Sequence, residues 1–208
     1  MDVFEALYTT RAMRRVKPDP IPLDVQRSIM DAAVRAPSGG NAQNWRFLLV
    51  DSPDLLKALG PLYRDGLQQL WDGYYKATDL DEQALKVRAS AQHLADQFEK
   101  YPLMLFAFVQ HDPTGGSIFP AVWSAQLAAR AHGVGTALTS ILGIFHAKET
   151  LRVLGVPTDQ GWRLACTVTF GYPTGRWGVA PRRPVHEVTY RNQWGDAPGF
   201  TVEEPLWG

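Results

Sequence analysis

The chain has 208 residues and no net charge, with 21 lysines and arginines against 21 aspartates and glutamates. A protein that binds a polyanion over its whole surface is normally basic. The even balance argues against nucleic acid as a partner and leaves room only for local phosphate sites. Cysteine is nearly absent: Cys166 stands alone, so no intrachain disulfide can form and nothing marks an oxidising compartment. Long apolar runs are missing too. The longest, Leu103 to Val109, is far too short to span a bilayer, which excludes a membrane partner in this reading. The opening MDVFEALYTTRAMRR puts acidic residues before basic ones and does not read as a secretory signal; the expectation is a cytoplasmic protein.

Several kinds of chemistry are also lacking. The histidines at 93, 111, 132, 146 and 186 have no metal-ligand spacing to one another or to Cys166. Gly133-Val134-Gly135 begins like a dinucleotide fingerprint, but Leu138 stands where the third glycine belongs and the segment leads into a strand pattern. There is no P-loop and no Gly-x-Ser-x-Gly elbow. Cys166 alternates with core residues of a strand and reads as a buried, inert thiol. An enzyme with so little side-chain machinery needs a bound cofactor to carry its reaction.

What is present reads as alternating helices and strands. Helix patterns cover Asp2 to Arg14, with Val3, Ala6 and Leu7 inward, then Leu23 to Ala36, Phe119 to His132 and Lys148 to Leu154. Strand patterns cover Trp45 to Val50, Leu103 to Val109, Gly135 to Leu142 and Trp162 to Tyr172. Lys17 to Pro22 is a proline-rich connector. Between Pro53 and Lys100, Val87, Ala91, Leu94 and Phe98 fall on one helical face. From Pro173 to Gly208 periodicity fades, and a tail of that length cannot bury its backbone alone. The reading is a single α+β domain over residues 1–208, with 173–208 wrapping the domain or a second subunit.

Two segments carry the chemistry. Arg11, Arg14 and Arg15 stand at i, i+3 and i+4, so on a helix all three project from one side and can grip a compact dianion. Equally, basic residues in a last helical turn oppose the helix dipole. Between Ala36 and Trp45, the run Pro37-Ser38-Gly39-Gly40-Asn41-Ala42-Gln43-Asn44 joins glycines that admit a ligand close to the backbone with amides that address the plane of a heterocycle. The alternative is an ordinary polar turn.

With these two segments the chain resembles the FMN-dependent nitroreductase superfamily, which opens with Arg-Arg-Ser-x-Arg and an x-Lys-Pro-Asp-Pro-x-Pro connector. Here these are Thr10-Arg11-Ala12-Met13-Arg14 and Val16-Lys17-Pro18-Asp19-Pro20-Ile21-Pro22. The second signature, Ala-Pro-Ser-x-x-Asn-x-Gln-Pro-Trp, is Ala36 to Trp45 with Asn44 for the proline. The closing Phe-Gly-Tyr-Pro and Arg-Arg-Pro segments are Phe170 to Pro173 and Arg182-Arg183-Pro184.

The resemblance implies a three-layer α/β/α fold around a central mixed, mostly antiparallel sheet. It also implies a homodimer with FMN at the subunit interface, and NADH or NADPH as electron donor. Carried over by position, Arg11, Ala12 and Arg14 belong to the phosphate segment, with Arg182 or Arg183 approaching from the tail. Thr10 and Ala12 have lost two donors for which Arg15 is placed to compensate. Pro37, Ser38, Gly39, Asn41 and Gln43 address the ring and ribityl chain. Leu138, Thr139 and Ser140 fall beside the isoalloxazine; the alternatives are strand core for Leu138 and a polar strand end for the other two.

Trp71 and Tyr75, at i and i+4 in the family's variable excursion, are positioned either to roof a flat acceptor or to pack in the core. The implied activity is transfer of hydride from NAD(P)H through FMN to a nitroaromatic, quinone or similar planar acceptor. Reductive dehalogenation, flavin breakdown and non-catalytic FMN storage are the alternatives.

Overall fold

The computed structural model describes residues 1–73 and 80–207. The described chain divides into two compact units: residues 11–176, and residues 1–10 together with 177–208.

The larger unit is built on a four-stranded sheet. Its strands are β1 (Trp45–Val50), β2 (Leu103–Val109), β3 (Gly135–Thr139) and β4 (Arg163–Gly171), in the order β1-β2-β4-β3. Every strand pair is antiparallel; the parallel element among the described residues is the bridge between Ala12 and Thr136. The continuous apolar run of β2 is buried at every position because both faces of the central strand are covered.

On one face, Leu105, Ala107, Val109, Val168 and Phe170 pack with α2 (Leu23–Ala33) and α5 (Ile118–Ala131). On the other, Met104, Phe106, Phe108 and Leu164 pack with α3 (Pro53–Gly73), α4 (Glu82–Asp96), α6 (Ile141–Phe145) and α7 (Ala147–Val153). Helices thus sandwich the sheet, giving the expected three layers. At Ala107 and Phe108 the β2–β4 register slips, with Cys166 and Leu164 as successive partners, so Ala165 forms a bulge.

Several element boundaries differ from the sequence expectation. The opening helix, α1 (Val3–Thr9, in the smaller unit), stops well before Arg14. The Thr9 and Thr10 hydroxyls donate to the carbonyls of Glu5 and Ala6, and Thr10 turns extended. Ala6 is buried there, whereas Val3 and Leu7 are exposed. The third strand ends at Thr139, and Ser140 leads directly into α6. Among the described residues, the stretch from Pro53 to Asp96 holds two helices, Pro53–Gly73 and Glu82–Asp96. Of the expected α4 face, Leu94 is buried and Phe98 lies just beyond in a short turn, but Val87 is 54% exposed.

Candidate functional site

Because the opening helix stops at Thr9, Arg11, Arg14 and Arg15 do not share a helical face; this corrects the spacing argument. They lie on an extended segment against the β3 edge. The Met13 N–H donates to the Thr136 carbonyl at 2.8 Å, and the Lys17 N–H to the Tyr172 carbonyl at 2.8 Å. The Thr174 N–H reaches the Arg15 carbonyl at 3.0 Å. Two glycines facing each other in the β3–β4 ladder, Gly135 and Gly171, make room for this segment. A Cβ at Gly135 would stand 2.7 Å from Met13 Cβ, and one at Gly171 2.6 Å from Val16 Cβ. The glycine of the Phe170-Gly171-Tyr172 motif is therefore needed for close approach, not for an unusual backbone angle.

Arg14 sits at the centre of what the segment presents. Its Nη1 donates to Ser90 Oγ at 3.2 Å, while its Nε is buried with no hydrogen-bond acceptor. Its backbone carbonyl accepts from the Tyr101 hydroxyl at 2.6 Å. The Arg14 charge is felt by both Tyr101 and Tyr63. Burial raises the Tyr63 phenol above its ordinary pKa, against the opposing effects of Thr139 and Arg14, so it stays protonated. Tyr63 shares a 3.2 Å hydrogen bond with Thr139 Oγ1, which also accepts from the Ile141 N–H at 3.4 Å. The Arg14 charge thus acts on a tyrosine that is hydrogen-bonded to the β3 end. Leu138 is 36% exposed and Ser140 half-buried beside this pair. Arg11 reaches the Arg176 carbonyl at 2.8 Å, and Ala12 is exposed.

The amide-rich loop is built differently. Ser38 Oγ accepts from the Gln43 N–H at 3.2 Å, and the Gly39 N–H donates to Ser117 Oγ at 3.2 Å. Gly40, Asn41 and Gln43 all adopt positive φ, near 57°, 54° and 50°. Asn41 and Gln43 are exposed, and Gln43 Nε2 donates to Asn41 Oδ1 at 3.0 Å. Pro37 is exposed as well.

This loop enters β1 at Trp45, whose row across the sheet runs through Val109 to Arg163. The arginine segment is bridged to Thr136, whose β4 partner is Phe170. Four strand spacings, counting the segment on the free edge of β3, and the length of β4 from Arg163 to Phe170 separate the two sites, a diagonal on the order of 30 Å. One copy of the chain does not bring them together.

A Nitroreductase family model matches residues 7–172. The chain belongs to the nitroreductase family.

Within that family it is 41% identical over 203 residues to an NADH dehydrogenase of Thermus thermophilus, covering 90% of this chain and 95% of the relative. It is 30% identical over 186 residues to a 5,6-dimethylbenzimidazole synthase of Rhodobacter capsulatus, covering 81% and 82%. Among solved structures, oxidised iodotyrosine deiodinase bound to FMN and 3-iodo-L-tyrosine matches with a TM-score of 0.76 at 23% identity, covering 92% of this chain and 99% of that one. The FMN-dependent nitroreductase NfnB from Mycobacterium smegmatis, in complex with NADPH, matches at 0.68 and 21% identity, covering 91% and 97%. At those identities the solved structures establish the shared fold.

The remaining expected residues of this nitroreductase-family chain lie elsewhere. Arg182 and Arg183 belong to the smaller unit, where Arg182 Nη1 donates to the Pro181 carbonyl and both line a cavity of about 660 Å³. Trp71 is 8% exposed in the helix-side core, with Arg88 5.2 Å above its ring, which is packing instead of a roof over a ligand. Tyr75 lies outside the described residues. Cys166 is fully buried, and burial pushes its thiol up to about 12. Sequence reasoning missed Tyr63, Ser90 and Tyr101. Tyr63 and Ser90 fall in the stretch read as a variable excursion and Tyr101 just past its end at Lys100, where nothing but a helical period signals which polar residues turn inward.

Proposed function

We propose that the chain is an FMN-dependent oxidoreductase that takes hydride from NADH or NADPH and passes it to a small planar acceptor such as a nitroaromatic or quinone. The observation that carries this reading is the buried Arg14 Nε, a donor without an acceptor, beside the hydrogen-bonded Tyr63–Thr139 pair. A buried guanidinium nitrogen left unpaired is costly, and an anionic or carbonyl oxygen supplied by a ligand satisfies it. The side chains around it fit a flavin mononucleotide: cationic forks at the exposed Arg11 and the half-buried Arg14, a methyl group at Ala12 that blocks nothing, and hydroxyls at the half-buried Thr139 and Ser140.

When bound, FMN supplies the hydride chemistry at its N5 position. The chain's own residues hold and orient it. Arg11 and Arg14 would hold its phosphate, and the β3 end would set Thr139 and Ser140 beside its ring. Because Ser38, Asn41 and Gln43 lie at the far corner of the sheet, they are proposed to serve the flavin of a second copy, which makes the working form a homodimer. The 41% identity to a relative named NADH dehydrogenase, over nearly its full length, supports a nicotinamide donor.

The test is direct. The purified protein should carry the flavin absorption band, bleach anaerobically with NADH or NADPH, and recover on adding a nitroaromatic or quinone. Failure of both nucleotides to bleach the bound flavin overturns the reading. The relative named 5,6-dimethylbenzimidazole synthase favours a second reading, oxygen-dependent flavin breakdown. Stoichiometric loss of FMN from the reduced protein in air, with no turnover of an added acceptor, would select it.

A further inference from the structure

Two hydroxyls, one buried and one at the exposed end of β3, meet where α3 faces the sheet, and their hydrogens can be counted. Tyr63 stands on α3, 2% exposed, with its ring 4.9 Å from that of Phe98. Packing fixes the ring, and with it the place of the hydroxyl oxygen. Thr139, the last residue of β3, is half-buried and follows the exposed Leu138. The two oxygens are 3.2 Å apart, and Thr139 Oγ1 also accepts from the Ile141 N–H at 3.4 Å. Among the described residues, neither hydroxyl makes any other hydrogen bond.

Two senses of the bond can be drawn, and they are not equal. If Thr139 donates, the Tyr63 hydrogen is left without an acceptor inside the core, and a stranded buried donor is costly. If Tyr63 donates, its hydrogen is satisfied and Thr139 Oγ1 accepts twice, from the phenol and from the Ile141 N–H, which fills both lone pairs. The charge of Arg14 favours the second sense, since a cation attracts the phenol oxygen and repels its hydrogen. The Thr139 hydroxyl is then left with one hydrogen and no lone pair, and that hydrogen must point away from both Tyr63 and Ile141.

We propose that Tyr63 is a positioning residue that makes the Thr139 hydroxyl a one-way hydrogen-bond donor, so that the ligand atom it meets must be an acceptor. The identity of that ligand rests on the flavin reading; the polarity of the pair does not. The hydroxyl can serve a ring nitrogen or carbonyl oxygen of an oxidised isoalloxazine, but not its N3–H. Reduction changes the charge and protonation of such acceptors, so a donor that cannot turn round holds the two redox states unequally. Tyr63 thereby biases the redox balance of a cofactor it need not touch.

The experiment compares wild type with Tyr63→Phe, Thr139→Val, Thr139→Ser and the double variant Tyr63→Phe/Thr139→Val. In the purified wild type the Tyr63 hydroxyl proton should exchange slowly enough to appear in the proton NMR spectrum, with a cross-peak to the Thr139 methyl. A slowly exchanging proton on the Thr139 hydroxyl, with none on Tyr63, reverses the polarity and overturns the proposal. Fluorescence titration and the midpoint potential of bound FMN read the consequence. Thr139→Val should weaken oxidised FMN about three- to tenfold and move the potential, and Thr139→Ser should restore both. Tyr63→Phe should move the potential in the same direction as Thr139→Val, and in the double variant it should add nothing to either readout. A merely structural tyrosine would cost as much with valine at 139 as with threonine, and that result overturns the proposal. So does wild-type affinity and potential in Thr139→Val. If the wild-type protein takes up no FMN, the flavin reading falls, and the NMR measurement still decides the polarity.

Discussion

At the scale of single residues, Arg14 is where sequence and structure meet. Its guanidinium is partly buried, its Nη1 is committed to Ser90, and its Nε awaits an acceptor. Arg14→Ala should weaken FMN on the order of 10- to 100-fold, the worth of a charge-assisted hydrogen bond. Circular dichroism should stay native, because the segment is pinned by its backbone; fluorescence titration of FMN measures the loss. Wild-type affinity in that variant would remove Arg14 from the cradle. Cys166 gives the opposite prediction. With the thiol fully buried and pushed up to about 12, it should resist a chromogenic disulfide reagent in the native protein and react once denaturant unfolds it. Asn44, standing where the family has proline, also gains an explanation. Proline would restrict the backbone of the residue before it to extended conformations, and Gln43 instead sits at a φ near 50°.

At the scale of elements, the close approach of the arginine segment to the sheet makes Gly171 a sharp test. Gly171→Ala should destabilise by about 1–3 kcal/mol, since the new methyl must displace Val16 and the segment with it. Val16→Gly in the same chain should restore part of that loss, and a double-mutant cycle by urea denaturation reads the coupling.

The start of α5 offers a pH-dependent counterpart. Asp112 Oδ2 accepts from the Ser117 and Ile118 N–H groups at 3.0 Å. Burial pushes the Asp112 carboxyl up, but these and neighbouring backbone donors outweigh it and hold it below the usual range. A depressed carboxylate stabilises fully above its unfolded pKa, near 4, and loses that contribution as pH falls through its lower folded value. Asp112→Ala should therefore cost about 1 kcal/mol at neutral pH, with the gap to wild type closing in acid.

The elements themselves were largely legible. The periods of α2, α5, β2 and β4 follow from one-sided or two-sided burial, which the apolar pattern records directly. The opening helix was misread past Thr9 because hydroxyl-to-carbonyl bonds and edge pairing with β3 are invisible to a helical period. The β3 end was misread because Ser140 reverses the chain within an apolar run. For the proposed site, the motifs pointed to Arg14 and the Ser38 loop but not to Tyr63, because which helix face meets the sheet is not written in a helical period.

At the scale of the whole molecule, the sheet register carries the argument. Arg14 lies by the β3 edge near the Thr136–Phe170 row, and Ser38 lies beyond the Trp45 end of β1, so a flavin held by both must draw on two copies. A two-fold dimer with sites formed across the interface makes a prediction that an intrachain site cannot. Take one chain carrying Arg14→Ala and another carrying Asn41→Ala with Gln43→Ala, each poor in flavin as a homodimer. In a mixed dimer, one site combines an intact arginine segment from one chain with an intact loop from the other, and the second site combines both defects. Random pairing makes half of all dimers mixed, with one of two sites restored, so co-expression should recover about a quarter of wild-type flavin content. Differential tags isolate the mixed dimers, in which occupancy should reach one flavin per dimer. Recovery to that level establishes that each flavin spans two subunits. Co-purified mixed dimers no yellower than the parent homodimers would mean that the loop and Arg14 act within one chain, against the distance across the sheet.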